Sequence, residues 1–461
     1  MKQLTLLFTL CLVLLASCRQ AEVPTQYTDS SQLPKMYPDY VDVTIPINIA
    51  PLSMELCQQA QDVVVRYAAG DEEIVCGGKK AMPAIDEWKD LTSKAAGGDI
   101  TVEVFAKNDD KWTRFKPFAI HVSKDSIDPY ISYRLIAPSY VTYEELTINQ
   151  RCLENYDESV IYNNMLLSVE TDGQCINCHN YQAYNPNRMQ FHARQNHGGT
   201  VVAYDGKVKK VNMKNDSILS AGVYPAWHPW LKLIAYSTNK TMQSFHTRDI
   251  NKIEVFDSQS DLIIYDVDKN EVTNIENDST EFECYPAWSP DGKWLYYVSA
   301  HFEFRDTIPH ETECIMRSKE IKYSIYRKSF NPETMQFGPR EMVFDAASLG
   351  KSATLPRISP DGKYLLFSMG EWGCFHIWHR DADLYMLRLA DNKVWPLTKT
   401  NSPHAESFHN FSSNGKWIIF SSRRNDGDYT RLFFAHVDAD GNTTKAFELP
   451  QQDPDFHRMF M

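Results

Sequence analysis

The sequence predicts an all-β protein, with a small β-sandwich-like N-terminal domain followed by a β-propeller of about five to six blades. Three observations lead there. Four segments between Tyr224 and Ser421 repeat one form: a short strand, a polar turn and an alternating apolar strand. Shorter runs of alternating apolar and polar residues, separated by turn residues, fill residues 37–123. No long helical period runs through either region.

Taken in order, the chain starts with Lys2 and an apolar run from Leu4 to Leu15. That run is too short to span a membrane and reads as a signal peptide over 1–17. It ends Leu15-Ala16-Ser17-Cys18, which resembles the bacterial lipobox. The resemblance implies cleavage before Cys18 and lipid on its thiol, holding the chain at a membrane surface. Cleavage without lipid is the alternative. Residues 18–36 are polar, contain Pro24 and Pro34, and read as a tether. The first domain, 37–125, carries strand patterns at Asp42–Ile49, Asp62–Tyr67, Ile100–Phe105 and Phe118–Val122, with a short helix over Ile85–Lys94. No site is expected in it.

The second domain, 126–461, holds the repeats. They centre on Tyr224-Pro225-Ala226-Trp227-His228-Pro229, Tyr285-Pro286-Ala287-Trp288-Ser289-Pro290-Asp291-Gly292, Leu355-Pro356-Arg357-Ile358-Ser359-Pro360-Asp361-Gly362 and Phe408-His409-Asn410-Phe411-Ser412-Ser413-Asn414-Gly415. Asp-Gly and Asn-Gly are the strongest local hairpin code, because the turn needs positive φ. The first copy lacks the glycine, and His228 replaces the serine as a turn residue. A third and fourth strand follow each hairpin, as in Asp383–Leu389 and Val394–Leu397, which makes a four-stranded blade. These hairpins resemble the PD40 repeats of TolB-like β-propellers over about 224–450. A further blade is expected from 129–136, 146–151, 200–204 and 207–213, with about 153–199 inserted inside it. Polar insertions at Asn239–Ile253 and His301–Glu320 belong on one face, where binding occurs.

The insertion carries the chemistry. Cys175-Ile176-Asn177-Cys178-His179 reads C-x-x-C-H, the attachment pattern of a c-type haem. Each thiol can form a thioether to one porphyrin vinyl group, and His179 can then donate to the iron. A redox disulfide or half a zinc site are the rivals. Met189, His192 and His197 are the candidates for the sixth iron ligand, with His192 favoured; Met raises a haem potential and a second His lowers it. Arg188 and Arg194 are candidates to pair with haem propionates. The whole arrangement resembles TolB-like lipoproteins of the Bacteroides type that carry a C-I-N-C-H segment ahead of PD40 repeats. That resemblance implies an architecture and a haem c, and no particular reaction.

The remaining features set bounds. Of ten cysteines, Cys57–Cys76 and Cys284–Cys314 are the local pairs suited to disulfides in an exported chain, with connectivity left open. A second metal site is conceivable at His376, Trp378 and His379, although such residues more often fill a propeller mouth. Arg423 and Arg424 read as solvated charge. The formal charge of −13, without a basic stripe, argues against a nucleic-acid partner. There is no G-x-S-x-G, phosphate loop or H-E-x-x-H. The expectation is therefore a lipid-anchored protein of the cell envelope, on the periplasmic or surface side of the outer membrane. It would act in electron transfer or haem-dependent sensing beside protein partners on the propeller face. A docking scaffold without a working haem, and a propeller hydrolase or lyase, are the alternatives.

Overall fold

The computed structural model describes residues 21–136, 146–166, 175–305 and 307–456. The signal peptide and Cys18 lie outside the described residues. Two compact units emerge, one built on residues up to Ser126 and the other beginning at Ile127.

In the first unit, alternation of buried and exposed residues along Asp62–Ala69, Asp99–Asn108 and Phe118–Val122 builds a seven-stranded sheet. A three-stranded sheet accompanies it. The helix Ile85–Lys94 buries Trp88, whose ring meets Tyr67 edge-on at 5.6 Å while its indole N–H donates to the Ile49 carbonyl. The same unit includes Glu154–Tyr156 and Pro450–Phe456, so the chain returns to it twice.

The second unit is a β-propeller whose described strands form six blades. Blade 1 is Tyr130–Leu135, Thr147–Cys152 and Glu158–Asn163. Blade 2 is Ile176–Tyr181, Arg188–Ala193, Gly199–Tyr204 and Lys207–Val211. Blade 3 is Gly222–Trp227, Leu233–Phe245, Ile253–Asp266 and Glu271–Glu276; blade 4 is Glu281–Trp288, Trp294–His301, Ser324–Asn331 and Gln336–Phe344. Blade 5 is Ser352–Ile358, Tyr364–Gly370, Asp383–Arg388 and Lys393–Pro396. Blade 6 is Glu406–Phe411, Trp417–Ser422, Arg431–His436 and Phe447–Glu448. The ring closes where the Asp128 carboxylate, ahead of blade 1, accepts from the Ser413 amide at 2.7 Å and from the Ser413 hydroxyl in the turn of blade 6.

This corrects one expectation. Residues 153–199 are not an insertion within a blade. Glu158–Asn163 completes blade 1, and Ile176–Tyr181 opens blade 2 as its first strand. The reason is visible in the backbone. Each first strand of blades 2 to 6 carries a register shift with one residue at positive φ: Cys178 (55°), Tyr224 (50°), Tyr285 (53°), Leu355 (55°) and Phe408 (46°). Cys178 therefore occupies the bulge position that Tyr224 and Tyr285 occupy in their blades.

The turn code holds where it was read. Ser289, Ser359 and Ser412 each accept, on the hydroxyl, the amide five residues on, at 3.0, 2.9 and 3.0 Å. In blade 3, the His228 Nδ1 accepts from the Leu231 amide at 3.1 Å instead, and its Nε2 meets the Gly292 carbonyl at 3.1 Å. Burial holds this imidazole down to about 4, so it is neutral near pH 7. Gly292 adopts φ +60°, and a Cβ there would stand 2.6 Å from His228 and 2.7 Å from Trp230; Gly362, at φ +72°, has open space in the same place. Gly362→Ala should thus destabilise by about 1 kcal/mol, the left-handed backbone cost alone. Gly292→Ala should cost roughly 2–4 kcal/mol because overpacking adds to it. Thermal midpoints of the two variants check this; equal drops would show that the His228 packing carries no weight.

Candidate functional site

The site grows from the bulge of blade 2. In a regular strand, successive residues alternate between faces. Here Asn177 pairs with His192 and Asn180 with Gln190, so Cys178 and His179 together face one residue of the partner strand. The Asn177 side chain stabilises this turn of the chain by accepting the Cys178 amide at 2.8 Å. Cys175 holds the neighbouring strand, its carbonyl accepting the Arg194 amide at 2.9 Å.

Cys175, Cys178 and His179 are half-buried, and both thiols are free. Burial pushes the Cys178 thiol up, partly offset by the Arg194 charge. Burial also holds the His179 imidazole down to about 4, although the Ser132 carbonyl, 3.3 Å from Nε2, works the other way. The three side chains share a neighbour that no motif announced. Arg134, on the first strand of blade 1, acts electrostatically on Cys175, Cys178 and His179, and its Nη1 reaches toward the Ile176 carbonyl at 3.5 Å. Desolvation lowers the Arg134 pKa, so this cation stands in a poorly hydrated place and is stabilised by negative charge near it. The Tyr224 backbone of blade 3 also lies beside Cys178, where its hydrogen bond works against the rise of the thiol, and the Tyr224 ring stands 4.3 Å from that of Tyr285.

The donor set fits a haem c. Two reduced thiols and an imidazole that is neutral at pH 7 are the species such a group requires, and the charge of Arg134 acts on all three. The other expected partners are engaged in contacts of their own, although His192 lies across from Asn177 on the neighbouring strand. His192 is buried with Nδ1 at 3.2 Å from the Thr200 hydroxyl, and burial holds it down to about 4. Met189 is packed among Leu146, Ile148, Ile176 and Phe191. His197 ends a short 3-10 turn, with its carbonyl facing the Lys210 ammonium at 3.4 Å. Arg188 pairs with Asp205 at 3.0 Å and stacks on Tyr204, while Arg194 is exposed.

Other expectations are corrected. Neither expected disulfide is formed: Cys57 is not bonded to Cys76, nor Cys284 to Cys314. Cys57 is tied to Lys35 by its amide, whereas Cys76 lies in a strand opposite Val65. Cys284 sits in the first strand of blade 4 against Ser237 and Asn239, and Cys314 lies in the helix His310–Met316. Among the described residues no group of three or more His, Cys, Asp or Glu is placed to hold a metal ion. His376 and His379 instead bond the Thr354 hydroxyl at 3.1 Å and the Glu254 carboxylate at 2.9 Å. Arg423 is not solvated but 4% exposed, and Arg424 reaches the buried Glu406 carboxylate at 3.0 Å.

Known proteins add the following. No known family profile matches the chain, and no curated protein does. Solved structures similar to it include a prolyl endopeptidase (12% identity, TM-score 0.39, covering 70% of this chain and 41% of that one). The tricorn protease is similar at 12% identity, TM-score 0.37, with 77% and 34% covered. Prolyl oligopeptidase B from Galerina marginata is similar at 10% identity, TM-score 0.38, with 75% and 41% covered. The chain thus spans less than half the length of each.

The depressed His179 makes a pH prediction. Its folded value of about 4 lies below the ordinary 6.5, so the unfolded chain binds the extra proton. The stability tied to a neutral His179 is complete above pH 6.5 and drains away as pH falls toward 4. The difference in melting midpoint between the wild type and His179→Asn should shrink between about pH 7 and about pH 5. A gap that is constant across that range would remove the assignment.

Proposed function

We propose that this chain is a lipid-anchored β-propeller of the cell envelope, related in design to TolB-like lipoproteins. In this reading it carries haem c on Cys175 and Cys178 with His179 as the iron ligand. It serves as an electron carrier or haem-dependent sensor in a protein complex. One observation carries the reading. The bulge that carries a large residue in blades 3 to 6 carries a cysteine and then a histidine in blade 2, with Cys175 three residues before, and the Arg134 charge acts on all three. When bound, haem c supplies one-electron exchange.

Each residue has a task. Cys175 and Cys178 tether, so the affinity of the pocket need not hold the group. His179, kept neutral by burial, presents a lone pair at pH 7. Arg134 places a positive charge beside the site, which favours the reduced state of any centre held there. Tyr224 and Tyr285 pack on one another in the neighbouring blades, their rings 4.3 Å apart. The apolar cluster of Met189, Phe191 and Ile176 supports the strand from behind.

The test is expression with a haem c maturation system. The mature protein should show haem absorbance and a covalent haem stain after denaturation. Cys175→Ala/Cys178→Ala should lose both. Arg134→Gln should keep the stain and titrate at a lower reduction potential. A colourless product with both thiols unmodified would leave a tethered docking propeller as the function.

A further inference from the structure

Blade 3 departs from its neighbours in length. Its strands Leu233–Phe245 and Ile253–Asp266 run on past the blade, through a register shift at Lys240/Thr241, and stay paired as far as Phe245 and Ile253. The far end of this hairpin does not stand free. Ile253 packs with Ile377 and Trp378 from the loop of blade 5, the Glu254 carboxylate holds the His379 Nε2 at 2.9 Å, and the Asn251 side chain accepts the Arg380 amide at 3.2 Å. Between the hairpin tip and the loops of blades 5 and 6 lies a cleft of about 190 Å³. Ile250, Lys252, Trp378, Arg380, His404 and Arg423 line it.

We propose that this cleft binds a carboxylate carried on a short apolar stem, either a free aliphatic acid or the last residue of a peptide chain. The cationic side is prearranged. The Arg423 guanidinium lies flat on the Trp378 indole, 3.3 Å from the ring centre, and is fixed at its edge by the Asp428 carbonyl at 2.6 Å. Such stacking holds a planar donor group in place before a ligand arrives. Arg380 has its stem pinned by Nε to the Pro403 carbonyl at 3.0 Å and is otherwise exposed, and Lys252 is exposed with its ammonium 2.9 Å from the Asp249 carbonyl.

Two carboxylates, Asp426 and Asp428, line the cleft with these three cations, which leaves one positive charge in excess among the lining residues. The Asp426 carboxylate is turned into its own loop, where it accepts the Asp428 and Tyr429 amides at 2.8 Å each. Asp428 is a second exposed carboxylate beside Lys252 and Arg380. His404 feels both signs: burial and then the Arg380 charge hold its pKa down, while the Asp426 charge raises it. The apolar side is short, comprising Ile250, 60% exposed at the hairpin tip, with Ile377 and Ala405. The volume is below the usual range for a large organic ligand, so one residue-sized group is what fits. Bidentate Arg–carboxylate bonding supplies the specificity.

The experiment is calorimetric titration of the whole mature protein with three probes: N-acetyl-leucine, the tripeptide Ala-Ala-Leu and the same tripeptide as its C-terminal amide. Both acids should bind, with the amide about tenfold weaker or worse. Arg380→Ala, at an exposed position, should melt like the wild type and weaken both acids about tenfold. Binding of the tripeptide acid alone would assign the cleft to chain termini, and equal binding of N-acetyl-leucine would assign it to free acids. Equal affinity for acid and amide, no heat with either acid, or an unaffected Arg380→Ala would overturn the proposal. None of these results depends on haem at Cys175 and Cys178.

Discussion

The propeller depends on a backbone conformation that most side chains avoid. Five of its first strands pass through positive φ at a residue other than glycine. Each such residue costs on the order of 1 kcal/mol or more, and it persists only where the surroundings over-determine it. Here the surroundings are the ring. Gln182 of blade 2 donates to the His228 and Leu231 carbonyls at 2.8 Å, Trp288 of blade 4 donates to the Ala226 carbonyl at 3.2 Å, and the His409 Nε2 of blade 6 meets the Leu366 carbonyl at 3.2 Å. Bonds from blade to blade hold the strained residues, of which Tyr285 and Leu355 are buried and Phe408 is 41% exposed. The same constraint that shapes the fold therefore also presents Cys178 and His179.

Much of this was legible. Alternation located the four main strands and the helix Ile85–Lys94 of the first unit, because period and turn residues are local signals. Asp-Gly and Asn-Gly located the hairpins of blades 4 to 6. Blade 2 escaped because its first strand was read as a cofactor motif. Yet Tyr181-Gln182 stands where Trp227-His228 and Trp288-Ser289 stand, an aromatic followed by a turn-closing polar residue. That signal lay in the sequence beneath the more conspicuous cysteines. Arg134 was not legible at all. It lies on another blade, and only ring geometry brings it to the motif. Arg423 was misjudged because an arginine after a strand is usually solvated, and the indole that buries it comes from a different loop.

Buried titratable groups pull stability in opposite directions. Burial holds His179, His192 and His228 down to about 4 and His376 and His409 to about 3, so acidification destabilises through them. Burial pushes Asp257 up to about 7, Glu283 to about 8, and Glu406 and Asp383 to about 6. These acids keep a proton that the unfolded chain gives up, so stability through them falls as pH rises from the ordinary carboxylate range toward their folded values. The two sets oppose one another across the mildly acidic range. A chain with this many buried ionisable groups can therefore show a flat response to pH while individual sites are steeply dependent on it.

The Asp128–Ser413 clasp joins positions 285 residues apart. Contacts between such distant parts of a chain form late and slowly. Blades 3 to 5 can assemble from neighbours as they emerge, but blade 1 has no seat until blade 6 is built. Until that moment the ring is an open arc, and the cysteine-bearing strand next to its loose end is reachable from outside. The proposed attachment at Cys175 and Cys178 would meet fewer neighbours on that arc than in the finished ring.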